Sequence, residues 1–157
     1  MIQRIQTVWL FVATIILFGL FLFPYVSFID LVGLGKQIYI TGVYSSHNNE
    51  TVRESSSIVL AIYAGIVAVV PLFIIFQYKN RKRQILLTLV EIVLVVLLGL
   101  WMWSTAHATL DVINQTLQAG NVGVSFFLLP LAIIFLGMAI GGIRKDEKLI
   151  KSANRLR

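Results

Sequence analysis

The chain has 157 residues, 58% of them hydrophobic and 13% charged, against about a quarter charged in ordinary soluble domains. That balance excludes a water-soluble globular protein and fits a single membrane domain over residues 1–157. The formal charge of +6 does not point to nucleic acid, because the basic residues sit just beyond apolar runs and no nucleic-acid-binding motif accompanies them.

The first apolar run extends from about Val8 to Phe23 and stops at Pro24. Ile2, Ile5 and Trp9 recur at helical spacing beside Arg4, which suits an interfacial lead-in to a span. A secretory signal peptide is the alternative, but no small-x-small cleavage site closely follows, so an uncleaved first span over residues 7–26 is expected.

Residues 27–56 form the larger outer loop. The β-branched and aromatic run Gln37 to Tyr44, with Phe28 to Val32 before it across Gly33-Leu34-Gly35-Lys36, predicts a small β-hairpin on the membrane surface. Ser45 to Glu50 reads as a flexible polar stretch.

Ile58 to Phe76 is uninterrupted by charge and predicts a span over 57–77. The basic turn 78–84 leads directly into a third span over 85–105, making a tight helical hairpin. In the second outer loop, 106–121, Leu110, Ile113 and Leu117 share a helical face, and Gly120-Asn121 supplies a stop. The fourth span covers 122–143, and the tail 144–157 places Leu149, Ile150, Ala153 and Leu156 on one stripe, as in a helix lying on headgroups or docked on a protein.

Arg4, Lys79, Arg81, Lys82, Arg83, Arg144, Lys145, Lys148, Lys151, Arg155 and Arg157 fall on one side of this topology, and Lys36 and Arg53 on the other. Basic loops resist translocation, so both termini are expected in the cytoplasm. The expected fold class is therefore an all-α integral membrane protein: four transmembrane helices in an antiparallel bundle, with the β-hairpin between helices 1 and 2.

Met1-Ile2-Gln3-Arg4-Ile5-Gln6-Thr7, the turn Asn80-Arg81-Lys82-Arg83-Gln84-Ile85 and the tail from Ile143-Arg144-Lys145-Asp146-Glu147 through Ser152-Ala153-Asn154-Arg155-Leu156-Arg157 carry a resemblance. In these pieces and their order the full chain resembles a domain-of-unknown-function family of short four-span proteins in Bacteroidota. The resemblance implies a bacterial inner membrane and four helices. It brings no activity, ligand or catalytic residue.

Glu91 is the one acidic side chain within a predicted span, about 9 Å along the helix from Ile85. A charge there costs at least about 2.5 kcal/mol, so it should be protonated, paired or hydrated. It is either a proton-linked or ion-linked site, or a carboxyl bonded to a neighbouring helix or reaching toward Lys82 or Arg83. The plainer reading is preferred, since no intramembrane cation or second acid accompanies it.

Other candidates are weaker. His47, Glu50, His107 and Asp111 could make a zinc site only if the outer loops meet, and no metal is expected. Absence of cysteine removes disulfides and thiolate metal sites. Asn49 and Asn114 head glycosylation sequons relevant only in a eukaryotic secretory route. Gly137 with Gly141, and Ala61 with Gly65, are small-xxx-small pairs expected in internal packing, while Pro71 and Pro130 are expected to bend their helices. Gly33 to Lys36 fails as a phosphate loop, with Asp30 at the first glycine position and Gln37 where Ser or Thr would hold magnesium.

No nucleophile–base pair is spaced for catalysis, so no enzyme and no cofactor are expected. The leading functional expectation is a non-enzymatic accessory or scaffold subunit of the inner membrane. It would bind another membrane protein or a further copy of itself, with anionic lipid headgroups at the basic turn and tail. The alternative is a small oligomeric transporter or channel using Glu91.

Overall fold

A computed structural model describes residues 3–30, 33–47, 50–78 and 80–155, with the side chains of residues 3, 4, 47, 50, 51 and 149–155 outside that set. Helix α1, Gln3–Gly19, is followed by strands β1, Val26–Ile29; β2, Gly35–Tyr39; β3, Gly42–His47; and β4, Glu50–Ser56. Helices α2, Ile58–Phe76, α3, Arg81–Asp111, and α4, Val124–Arg155, complete the chain, with one 3₁₀ turn at Ala119–Asn121 between the last two.

The fold class is thus corrected. The chain is not all-α with four transmembrane helices, but four helices joined to a four-stranded antiparallel sheet of order β1-β2-β3-β4. Among the described residues, three helices are long and apolar enough to cross a membrane: α2, α3 and Val124–Lys148 of α4. The apolar part of α1, Ile5–Gly19, is shorter, about 22 Å at 1.5 Å per residue against a hydrocarbon core of about 30 Å. Its apolar run continues to Phe23, but the helix tightens first: Leu20, Phe21 and Leu22 donate to carbonyls three residues back, and Pro24 then prevents resumption.

The loop is also more ordered than predicted. The run Gln37 to Tyr44 does not form one strand, because the chain reverses at Ile40-Thr41 and Gly42 takes φ of 150°. A Cβ on Gly42 would collide with the Ser55 carbonyl of β4, so glycine is required where the third and fourth strands meet. The stretch read as flexible becomes the end of β3 and the start of β4; Leu31, Val32, Asn48 and Asn49 lie outside the described residues.

Alternation gives the sheet two unlike faces. Val26, Ile38 and Val43, paired in register across three strands, are buried toward the helix ends. Ser27, Gln37, Tyr44 and Arg53 form the row on the other face. Two strands would be marginal in water, whereas this sheet is fastened to the helices at several points. The Tyr25 hydroxyl lies 3.0 Å from Thr105 Oγ1, Gly123 N–H donates to the Tyr25 carbonyl at 2.8 Å, and Gln115 Nε2 donates to the Ile29 carbonyl at 3.0 Å.

The helices run antiparallel to their neighbours: α1 packs on α2 and α4, and α3 packs on the same two. Ring contacts record this, with Trp9 on Phe135 at 5.6 Å, Tyr63 on Trp101 at 5.6 Å and Trp103 on Phe126 at 6.0 Å. On α3, Gln84, Thr88, Glu91, Val95, Leu98, Met102, Ala106 and Leu110 are buried at heptad-like spacing. Leu86, Leu89, Val90, Val93, Val96 and Leu97 on the remaining surface are exposed. A helix apolar on every side, with no protein over its outer faces, suits hydrocarbon and not water.

Two further expectations change. The tail does not form a separate surface helix, since α4 continues from Val124 to Arg155 without a break. Gly137 and Gly141 do not mediate internal packing: both are exposed, with nothing within 4 Å of a Cβ built on either. Gly65 does lie at a packing contact, with the Phe21 ring just past the end of α1 at 4.0 Å from a Cβ built on it, and Ala61 packs against the core. Pro71 and Pro130 sit inside continuous helices.

Candidate functional site

The fold separates two ends. At one, the sheet covers the start of α2 and α4 and the end of α3, as the Tyr25–Thr105 and Ser125–Phe23 hydrogen bonds show. At the other lie the N-terminal part of α1, the α2–α3 turn and the later part of α4, where Lys82, Arg83, Arg144, Lys145 and Lys148 are exposed. The basic residues described are thus gathered opposite the sheet, apart from Lys36 and Arg53.

Glu91 is fully buried inside the helices. Neither of its oxygens has a hydrogen-bond partner, and Lys82 and Arg83, suggested as partners by proximity in sequence, are exposed. The bonded-carboxyl expectation is therefore unmet among the described residues. What the sequence reading missed is the company Glu91 keeps.

Gln84, Thr88 and Glu91 occupy one face of α3, and Gln6 of α1 and Asp146 of α4 are buried at the same basic end, 3% and 4% exposed. Gln84 Nε2 donates to the Ile74 carbonyl at 3.4 Å, which leaves its Oε1 unpaired, and the Thr88 hydroxyl donates to the Gln84 carbonyl at 2.8 Å. Oxygens of Gln6 and Asp146 are likewise unpaired, as is Arg81 Nη1. The 84-88-91 spacing was readable as one helical face; Asp146, within a run of charges, looked solvated.

The remaining candidates separate. His107 lies tilted against Trp103 with ring centroids 4.8 Å apart, Asp111 is exposed, and the side chains of His47 and Glu50 lie outside the described residues. Among the described residues no group of three or more His, Cys, Asp or Glu side chains could hold a metal. Asn114 is exposed with φ of 54° just past the end of α3, a left-handed helix stop that asparagine tolerates. Lys36, in the failed phosphate loop, is held at 2.8 Å from both Asp30 and Glu54. Hydrogen bonding to Asp30 first, then to Glu54, raises its pKa. The Tyr25 phenol is raised by burial, partly offset by its bond to Thr105.

A cleft of about 530 Å³ opens beside Lys36, lined by polar groups including Ser27, Gln37, Ser46 and Asn121. With Lys36 already between two carboxylates, it offers no free positive charge to an anion.

No curated protein and no solved structure matches the chain. One family model matches residues 2–156, nearly the whole length. The chain belongs to the family described as Domain of unknown function (DUF4293).

Proposed function

We propose that the protein is a non-enzymatic accessory or scaffold subunit of a bacterial inner membrane, which holds another membrane protein through its sheet. The observation that carries this reading is the sheet itself, fastened to the helix ends while its outer face and β4 edge stay uncovered. Val52, Arg53, Glu54, Ser55 and Ser56 are all exposed, whereas the β1 edge is met at Val26 by a bridge to Val122. Tyr39 and Tyr44 meet edge to face at 5.3 Å beside Gln37 and Arg53, giving a rigid aromatic and polar contact surface.

The one-sided basic residues support a cytoplasmic basic end, resting on anionic headgroups, and a sheet on the far side. Both chain ends then face the cytoplasm, because Gln6 of α1 packs against Gly142 of α4 at that end. A photo-crosslinking residue at Tyr44, followed by gentle-detergent purification and mass spectrometry, tests the reading. A crosslinked membrane protein is expected; a solitary protein under conditions that preserve complexes would overturn it.

A second reading, a small oligomeric transporter or channel using Glu91, is favoured by the unpartnered buried carboxyl. Reconstituted flux that falls in Glu91→Gln would select it.

A further inference from the structure

Among the described residues, the buried unpaired polar atoms gather at the basic end: six oxygens, from Gln6, Gln84, Glu91 and Asp146, and one nitrogen of Arg81. Helix registers place them at successive heights along the helix axes. Gly99 of α3 meets Leu129 of α4, and Gly142 of α4 meets Gln6 of α1. Thirteen residues separate Leu129 from Gly142, and the same number back along antiparallel α3 from Gly99 reaches Leu86. Gln6 therefore sits near the level between Gln84 and Thr88. Asp146, one turn beyond Gly142, falls near the level of Arg81. Glu91 is the inner end, about 15 Å from Arg81 at 1.5 Å per residue.

These atoms are strung out at one or two per turn. A hard metal cation needs about six oxygens around one point, which this spacing does not provide. Buried unpaired acceptors stacked at successive levels need donors, and water supplies them. A carboxyl at the closed end of such a stack can exchange its proton with solution while remaining shielded from lipid.

We propose that this stack is a hydrated proton path from the basic end, with Glu91 as the proton-binding group at its inner end. Uptake forms an O–H bond on a Glu91 carboxylate oxygen; the proton comes from a hydronium ion at the basic end, which becomes water. Among the described residues, the titratable or charged groups on the elements around these atoms are Arg81 of α3, Asp146 of α4 and Tyr63 of α2, whose hydroxyl donates to the Leu94 carbonyl at 3.1 Å; α1 contributes none over Ile5–Gly19. The path is compatible with either functional reading, because a scaffold and a transporter can both respond to proton binding.

Infrared spectroscopy of the full chain in lipid nanodiscs tests the proposal, with circular dichroism checking that each variant folds. A protonated-carboxyl band should grow as pH falls across the range in which the protein stays folded, and should be absent in Glu91→Gln. Its shift on transfer to heavy water should be slowed about tenfold or more in Gln84→Leu, where a buried acceptor for water is lost, with Thr88→Val as a second obstruction. A Glu91 band that never titrates, or that exchanges equally fast in both obstructed variants, would overturn the proposal. Sodium-dependent loss of the band at constant pH would also overturn it, by showing a metal cation in place of the proton.

Discussion

Replacing Gly123 with alanine should unseat the sheet from the helices. A Cβ at this position would overlap the carbonyl of Pro24 and lie within contact of the Tyr25 backbone. Retreat is blocked on both sides: Gly123 N–H donates to the Tyr25 carbonyl at 2.8 Å, and Ser125 Oγ donates to the Phe23 carbonyl at 2.5 Å. Relief therefore means losing one or two hydrogen bonds, at about 1 kcal/mol each, or accepting overpacking of about 1–3 kcal/mol. The expected destabilisation is about 1–3 kcal/mol, felt first at the junction of α1, β1 and α4. Thermal melting in detergent with limited proteolysis of residues 26–56 would measure it. Gly120→Ala is the control, since nothing lies within 4 Å of its Cβ, and it should shift stability by less than about 0.5 kcal/mol. Equal melting and equal protease resistance in the two variants would refute the seating described.

Further outcomes follow from the same geometry. Lys36→Met should weaken the sheet by about 0.5–1 kcal/mol, a modest figure because Glu54 is 40% exposed. The Lys36 pKa is raised in the folded state, so its contribution is complete below the ordinary lysine range and disappears as pH rises through the folded value. Proteolysis across alkaline pH should therefore show a loss in the wild type that Lys36→Met lacks. With no native cysteine, single Tyr44→Cys and Lys145→Cys variants report topology directly: an impermeant thiol reagent on intact spheroplasts should label the first, and the second only after permeabilisation. Neutralising Lys82, Arg83 and Lys145 to glutamine should weaken retention of anionic lipids, relative to neutral ones, by about 1 kcal/mol per residue, read by native mass spectrometry of retained lipid.

Much of the layout was legible because hydrocarbon imposes simple rules. The uninterrupted run Ile58 to Phe76 became α2 at those same residues, whereas most of the expected turn 78–84 is already helix, with Asn80 inside it capping α3 by accepting from Arg83 N–H at 3.3 Å. The sheet was read at half its size. Its turn at Ile40-Thr41 lies inside a β-rich run without an Asn-Gly signal, and its fourth strand, Glu50–Ser56, is polar enough to pass for a loop. Such a strand forms because β3 pairs with it, a contact that local preference does not contain.

The first helix shows the same limit. Hydropathy extends the run to Phe23, yet the helix ends at Gly19, because the chain must turn so that Tyr25 and Val26 reach α3, Val122 and Ile38. Glu91 could be singled out from sequence, since one acid in an apolar run is visible in isolation. Its neighbours could not, because Gln6, Gln84 and Asp146 are far apart in the chain and each is ordinary in its own segment.

By itself, then, the sequence determined the apolar helices, the one-sided distribution of basic charge and the family. These depend on composition and on the short period of a helix. The tertiary structure alone decided that residues 26–56 form a seated four-stranded sheet, that Gly137 and Gly141 face outward, and that six unpaired oxygens share one buried end. Each of those depends on which helix faces meet, and at what height.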